Sequence, residues 1–244
     1  MVHGLDPRVK LIAALLFIVL VNLVPVGHWW MFLWLWMALL FASILSRLGL
    51  LYTAKRSLFA TPFVLAALSI PFTTPGSESL TVPWLGWVAT DTGLQLLLSI
   101  VLRFWLAVQM AVLLTAVTSI PDLLWALRSL HVPGVLVSVI GVMYRYLRVL
   151  GSEAARMLRA RAARTVQGNR RPGLVWRGRV TGAMIGSLFL RAVARSERIH
   201  LAMLSRAYDG TLRSLVSFRM AFADWCVLIG SVFLGLMGSL WVLS

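Results

Sequence analysis

The 244-residue sequence contains one cysteine, eight acidic residues and very few lysines. The single cysteine, Cys226, excludes an intrachain disulfide, and its apolar surroundings predict a buried thiol. The four histidines are too scattered in sequence to predict a metal site; they are at positions 3, 28, 131 and 200. The two lysines are Lys10 and Lys55, and neither belongs to the GxxxxGK[ST] pattern of a phosphate-binding loop. The chain is therefore not expected to bind ATP through such a loop.

Common catalytic patterns are also missing. The sequence has no HExxH, no GxSxG and no paired cysteines. A membrane-embedded enzyme, such as a lipid-headgroup transferase, would require acidic or histidine residues clustered at one membrane depth, whereas Asp122, Asp209 and Asp224 are widely separated in sequence. We therefore predict no catalytic residue, no metal site and no cofactor in this chain.

Apolar residues dominate what the chain does contain. Hydrophobic residues make up 60% of it and charged residues 13%, and the eleven tryptophans add to an apolar content that exceeds the needs of a soluble core. Roughly 20 apolar residues cross a bilayer as a helix. The candidate spans are residues 10–24, 29–46, 58–72, 94–119 and 220–243. We therefore predict an all-α integral membrane protein with about five transmembrane helices.

Two of these candidate spans have particular features. The first follows a charged start without a small-residue cleavage site, so it is interpreted as a retained span rather than a signal peptide. The first and third spans are short, and Pro62 and Pro71 are expected to kink or end the third.

The basic residues predict the orientation of the spans, because loops rich in arginine and lysine stay in the cytoplasm. Basic residues precede the first span and follow the second, whereas residues 73–93 contain none. We therefore expect a cytoplasmic N-terminus and an external 73–93 segment. The predicted organisation is four spans in residues 1–119, cytoplasmic helices in 120–219 and a final span in 220–244.

The net charge of +15 is concentrated in one region. Sixteen arginines and three acidic residues lie between Arg145 and Arg219, which places +13 of the charge there. Helical periodicity predicts a short amphipathic helix from Ser119 to about Pro133 and two long helices at about 135–167 and 174–208. Ser119 is the expected N-cap of the short helix, and Gly210 is the expected left-handed stop after the last one.

The residues alone leave two interpretations of these arginine-rich helices open. Arginines beside a membrane bind anionic lipid, each contributing about 1 kcal/mol, and an anchor of this kind could also bind nucleic acid. Specific docking to a protein partner is the other interpretation. A separate arginine, Arg103, lies inside the fourth span, where it is either functional or paired with a neighbouring helix or snorkelling.

Five stretches in order resemble one known family. They are LDPRVKL (5–11), LLTAVTSIPDLLWALRSLHVP (113–133), MYRYLRVL (143–150), EAARMLRARAART (153–165) and HLAMLSRAYDG (200–210). Together they resemble the transmembrane T component of energy-coupling factor (ECF) transporters, and within that family most closely the cobalt-type member, CbiQ. The similarity covers nearly the whole chain.

The resemblance implies two short Ala-Arg-Gly-like motifs at the tips of two crossed cytoplasmic coupling helices. The first motif falls on Ala163, Arg164 and Thr165, with Ala160-Arg161-Ala162 as an alternative register, and the second falls on Ser205, Arg206 and Ala207. Both motifs lack the family's glycine, and the second also lacks its first alanine. A supporting basic face is expected from Arg156, Arg159, Arg161, Arg195 and Arg198.

The resemblance further implies how the chain would work. Each arginine tip would dock in a groove of one ATPase subunit, and two ATPases would form a dimer beneath a bacterial inner membrane. The chain, itself not an enzyme, would pass their movement to a substrate-binding membrane subunit, with membrane lipids as further partners and no nucleic acid. Cobalt is the expected substrate, with nickel or a vitamin as the alternative.

Overall fold

The computed structural model describes residues 5–46, 50–57, 67–74, 78–82, 87–164, 173–210, 224–225 and 227–231. The elements assigned within them are α1 (Pro7–Leu23), α2 (Trp29–Leu45), α3 (Leu50–Ser57), α4 (Ile70–Thr73), β1 (Glu78–Val82), β2 (Trp87–Thr90), α5 (Asp91–Val117), α6 (Ile120–Ser129), α7 (Gly134–Arg164) and α8 (Leu174–Leu204). The predicted helical class is confirmed. The chain divides into two compact units, one of Met1–Ala126 with Val216–Ser244 and one of Leu127–Leu215.

Helices α1, α2 and α5 build the apolar core of the first unit. Its buried side chains are Val21, Val24, Phe32, Leu35, Leu39 and Leu106. The outer side of α2 is equally apolar, since Trp30 is 67% exposed and Phe41 is 65% exposed. A soluble monomer rarely exposes so large a continuous apolar face, so this face is suited to lipid.

The described helices agree with three of the predicted spans in position. Spans one, two and four correspond to α1, α2 and α5, and α1 starts at Pro7 because the Asp6 carboxylate caps it by accepting the Arg8 N–H at 2.9 Å. The third and fifth predicted spans lie largely outside the described residues, as does Cys226. The total of five spans stays a prediction.

By length and composition, two helices among the described residues could cross a membrane. They are α5 and α7, while α2 is apolar but shorter at 17 residues. Helix α7 meets the criterion although we predict it to be a cytoplasmic coupling helix. Its first eleven residues, 134–144, carry no charge, and the remainder carries six arginines, at 145, 148, 156, 159, 161 and 164. Its cytoplasmic placement stays a prediction.

A short β-hairpin, which the sequence pattern does not indicate, occupies part of the predicted external segment. Strands β1 and β2 pair antiparallel, with Glu78 opposite Thr90 and Val82 opposite Trp87. Strands of five and four residues give too few alternations to produce a clear period-two pattern. The Thr90 hydroxyl then caps α5 by accepting the Gly93 N–H at 3.2 Å.

Helix α6 confirms the predicted N-cap. The Ser119 hydroxyl donates to Asp122 Oδ2 at 2.6 Å, and the Asp122 N–H donates back to the Ser119 hydroxyl at 3.4 Å. The helix ends with His131 in the left-handed region at a φ of 66°, and the Val132 N–H donates to the Leu127 carbonyl at 3.3 Å. This hydrogen-bond pattern is a Schellman stop.

Arg103 pairs with a neighbouring helix. From α5 its guanidinium donates to the carbonyl oxygen of Val24, the residue that ends α1, at 2.6 Å. The last carbonyls of a helix have no partner within the helix, and Val24 is only 4% exposed, so a donor from outside is required. Of the open interpretations, pairing with a neighbouring helix therefore accounts for Arg103.

Candidate functional site: the arginine-bearing ends of two paired helices

Helices α7 and α8 pair within the second unit through polar contacts. Glu153 on α7 accepts from Arg191 on α8 at 3.0 Å and also forms an ion pair with Arg156 on its own helix. Arg161 on α7 donates to the Thr181 hydroxyl at 3.4 Å. Glu153 is thus the acceptor that connects basic residues of both helices.

The order of these contacts makes the two helices antiparallel. Glu153 of α7 contacts Arg191 of α8. Arg161, which comes later in α7, contacts Thr181, which comes earlier in α8. The C-terminal end of α7 therefore lies beside the first part of α8. At ~1.5 Å per residue, the C-terminal end of α8 lies on the order of 35 Å further along that helix.

The first predicted motif is at the C-terminal end of α7. Ala163 and Arg164 are its last two residues and both are exposed, while Thr165 lies outside the described residues. The alternative register is centred on Arg161, which is only half-exposed. Its guanidinium lies over the Trp176 ring, 5.8 Å from the ring centroid, and contacts α8. The two candidate arginines therefore have different surroundings.

The second predicted motif forms the stop of α8. Ala207 adopts a left-handed φ of 58°, the Ala207 N–H donates to the Leu204 carbonyl at 3.0 Å, and the Tyr208 N–H donates to the Met203 carbonyl at 3.1 Å. This is a Schellman stop with alanine in the position usually held by glycine. The predicted stop at Gly210 was wrong: Gly210 also has a positive φ, but α8 ends before it.

This stop gives a physical reason for a glycine at the third motif position. The left-handed conformation costs a non-glycine residue about 1 kcal/mol or more, because Cβ approaches the following carbonyl. The stop also presents Ser205, Arg206 and Ala207 together, all three exposed. Arg206 is therefore held on a defined turn at the helix end.

The supporting basic face divides into two groups. Arg156, Arg159 and Arg198 are exposed, whereas Arg161 and Arg195 are half-buried.

Glu153 is a functional residue that the sequence analysis missed. It is one of only three acids between Arg145 and Arg219, and this scarcity is the signal that could have identified it as the partner of the arginines. Lying in the basic second half of α7, its carboxyl has a lowered pKa, chiefly because of the hydrogen bond from Arg156.

Replacing Ala207 with glycine is expected to stabilise the second unit. Glycine adopts the left-handed conformation without the Cβ penalty, so the gain should be about 1 kcal/mol. Thermal unfolding in detergent would measure it. The matched control is Ala202→Gly in the last turns of α8, which should lose about 1 kcal/mol because glycine disfavours a helix interior. Equal losses for both variants would contradict the assigned stop.

Replacing Glu153 with glutamine is expected to lower the unfolding midpoint slightly at neutral pH, because the pair is exposed and screened by solvent. The folded-state pKa is below the ordinary value of 4.5, so the ionised carboxylate stabilises the fold above that value. This contribution is lost as the pH falls through the folded-state pKa. The difference between wild type and Glu153→Gln should therefore disappear in acid, and a difference that grows there would contradict the assignment.

Within the described part of the chain, no three His, Cys, Asp or Glu side chains form a group that could hold a metal ion. The chemistry available at the helix ends is that of exposed guanidinium groups. A guanidinium offers five donors in a fixed fork, which can bind carboxylates or backbone carbonyls but supplies no acid, base or nucleophile at neutral pH.

Known proteins resemble this chain over most of its length. The family model described as "Cobalt transport protein", CbiQ, matches residues 1–217. The transmembrane protein EcfT of the energy-coupling factor transporter from Listeria innocua is 27% identical over 242 residues, covering 93% of this chain and 88% of that protein.

Two shorter similarities concern proteins named for metals. The cobalt transport protein CbiQ of Rhodobacter capsulatus is 34% identical over 102 residues, 42% of this chain and 40% of that protein. The nickel permease LarQ of Lactiplantibacillus plantarum is 27% identical over 124 residues, 51% of this chain and 44% of LarQ. With a family match that spans residues 1–217, the chain belongs to the CbiQ family, the transmembrane T components of ECF transporters.

Proposed function

We propose that this chain is the coupling subunit of an ATP-driven importer in a bacterial inner membrane. It transmits movement from two ATPase subunits to a separate membrane subunit that binds the substrate. ATP hydrolysis takes place in the ATPases, and this chain has no catalytic role. The resemblance of the chain to EcfT along 93% of its length supports this assignment.

The observation that carries the proposal is the antiparallel pairing of α7 and α8. Because the two helices run in opposite directions, their C-terminal ends lie at opposite ends of the pair. Each end carries an exposed arginine, Arg164 or Arg206. Two equivalent partners side by side beneath the membrane could each bind one end, which is the arrangement that an ATPase dimer offers.

The contacts also favour one register for the first motif. Arg161 is engaged with Trp176 and Thr181 inside the helix pair, so binding an ATPase through it would break those contacts. Arg164 is exposed at the end of the helix. We therefore assign docking to Ala163, Arg164 and Thr165 on one side and to Ser205, Arg206 and Ala207 on the other. The exposed Arg156, Arg159 and Arg198 add positive charge that attracts acidic protein or anionic lipid.

Cobalt is the proposed substrate, since the matching family is described as cobalt transport proteins. The similarity to the nickel permease LarQ supports nickel as the alternative. A vitamin is the further alternative that the family resemblance allows.

Purification of the tagged chain from its native host in mild detergent tests this proposal. We expect an ATPase and a membrane subunit to co-purify, and cobalt to bind the complex more tightly than nickel in a competition titration. Preferential nickel binding would show that nickel, and not cobalt, is the substrate. Absence of any ATPase from the purified complex would contradict the coupling function itself.

A further inference from the structure

A mixed-charge cluster surrounds the start of α1 in the first unit. Asp6 is 2% exposed, Lys10 is 9% exposed and Asp224 is 1% exposed. A buried charge costs several kcal/mol unless it is paired and hydrogen-bonded, so three of them in one place require specific partners. Although Asp122 and Asp224 are widely separated in sequence, both carboxylates lie close enough to Lys10 to attract its ammonium.

Hydrogen bonds join the N-terminal segment to the segment that contains residue 224. The backbone N–H of Asp6 donates to Oδ1 of Asp224 at 2.9 Å in a buried setting. The Asp6 carboxylate in turn accepts the Arg8 N–H at 2.9 Å, so its orientation is fixed by the first turn of α1. The first contact joins Asp224 to the beginning of α1, and the second holds Asp6 in place on that helix.

The same cluster holds the first turns of α6. The Arg8 guanidinium lies over the ring of Trp125, 4.2 Å from the ring centroid, which is a close cation–π contact. The carboxylates of Asp122, Asp224 and Asp6 all lie close enough to attract the Lys10 ammonium. Asp122 and Trp125 both precede Leu127, where the second unit begins.

The positions of Asp122 and Asp224 along the chain give this cluster its significance. Asp122 comes shortly before the second unit, Leu127–Leu215, and Asp224 comes shortly after it. Asp122 and Asp224 therefore belong to segments that flank, in sequence, the unit that carries both arginine motifs, and each segment has a contact with the start of α1. The boundary itself falls inside α6, which is a continuous helix from Ile120 to Ser129.

We infer that the cluster of Asp6, Arg8, Lys10, Asp122, Trp125 and Asp224 is a positioning site that transmits movement of the arginine-bearing unit to the membrane helices. When the ATPases move α7 and α8, the movement reaches α1 through the contact of Arg8 with Trp125 on α6 and through the hydrogen bond from Asp6 to Asp224. Apolar side chains could fill the same volume at no loss of stability. They would not hold α6 and the segment that contains Asp224 in one orientation against α1, as paired charges do. The residues act through α1 and α6 and do not contact the substrate.

Because this role presupposes the coupling function proposed above, the experiment measures both. The chain, its ATPase and its membrane subunit are reconstituted in proteoliposomes, and metal uptake and ATP hydrolysis are recorded together. For Lys10→Met and for Asp122→Asn we expect ATPase binding to be retained and metal transported per ATP hydrolysed to fall about five-fold, within the range by which network residues change coupling. The charge-conserving variant Lys10→Arg should keep most of the wild-type ratio.

Asp91→Asn is the matched control, because Asp91 is an exposed acid in the first turn of α5 outside the cluster, and its ratio should equal that of wild type. If Lys10→Met does not give monodisperse protein, Trp125→Leu is used in its stead. That variant removes the cation–π contact with Arg8 and replaces one uncharged side chain with another. Wild-type ratios in Asp122→Asn and in Lys10→Met or its substitute would overturn the inference while leaving the coupling function intact. A wild-type complex without ATP-driven uptake would instead overturn the coupling function.

Discussion

Replacing Arg164 and Arg206 together with alanine is expected to release the ATPase from the complex while the membrane subunit stays bound. Arginines that anchor an interface contribute about 2 kcal/mol or more each when they are fully covered by the partner. Each loss corresponds to a roughly 30-fold weaker Kd. Co-purification of the ATPase with wild type and with the double variant, at matched salt, measures the effect.

The control for this experiment is the double variant Arg177→Ala/Arg179→Ala. Both arginines are exposed on the first turns of α8, so the control removes the same charge from the same helix pair without touching either motif. We expect it to retain the ATPase. If both double variants release the ATPase equally, total charge rather than motif position determines binding, and the interpretation as a lipid-binding or generally electrostatic surface becomes the better one.

Replacing Arg103 with leucine is expected to destabilise the protein by about 2 kcal/mol, since charge-assisted hydrogen bonds contribute about 1.5–3 kcal/mol and the acceptor is left buried without a partner. The acceptor is the Val24 carbonyl, which ends α1 beside the apolar core of α1, α2 and α5. For a chain of this length the loss corresponds to a Tm lower by about 4–8 °C. Thermal unfolding in detergent would measure it.

Gln109→Leu provides the matched control for Arg103→Leu. Gln109 lies on the same helix, is 6% exposed, and its Oε1 has no hydrogen-bond partner within the described part of the chain. Removing a buried polar atom that lacks a partner should leave stability unchanged or raise it. A loss of stability for Gln109→Leu as large as that for Arg103→Leu would mean that any change on α5 disturbs its packing. The hydrogen bond from Arg103 to Val24 would then not account for the effect of Arg103→Leu.

The sequence predicted those parts of the fold that depend on local patterns. Apolar runs placed α1, α2 and α5, and the Ser119 cap placed the start of α6, because hydrophobic periodicity and capping chemistry are properties of neighbouring residues. The helix ends were less certain. We predicted the stop of α8 at Gly210 from residue type, whereas the chain uses Ala207 and accepts the cost of a left-handed alanine there.

Contacts between distant residues could not be predicted in the same way. The donation from Arg103 to Val24 joins residues on two helices, and only the fold determines which helix end an arginine inside a span will meet. The cluster around Lys10 brings together three segments that are far apart in sequence. For the candidate site, a resemblance supplied both arginine motifs and the break at 167–173 predicted a helical hairpin, while the contacts of Glu153 and Arg161 determine which residues of α7 and α8 lie side by side.

The antiparallel order explains why two motifs on two helices suit a two-fold partner. A parallel pair would carry both arginines to one end and offer a single docking point. Under the proposed function, each ATPase of a dimer would meet its own helix end in the antiparallel pair, and closure of the dimer on ATP would apply force at both ends. Movement of the pair would then reach α6 and α1 through the cluster around Lys10.

The measurement that tests the coupling function most directly is ATP-driven cobalt uptake by proteoliposomes that contain this chain, its ATPase and its membrane subunit. We predict uptake that requires ATP and the wild-type chain and that is lost with Arg164→Ala/Arg206→Ala although the membrane subunit is still present. Uptake at the wild-type rate with the double variant, or without this chain, would contradict the account.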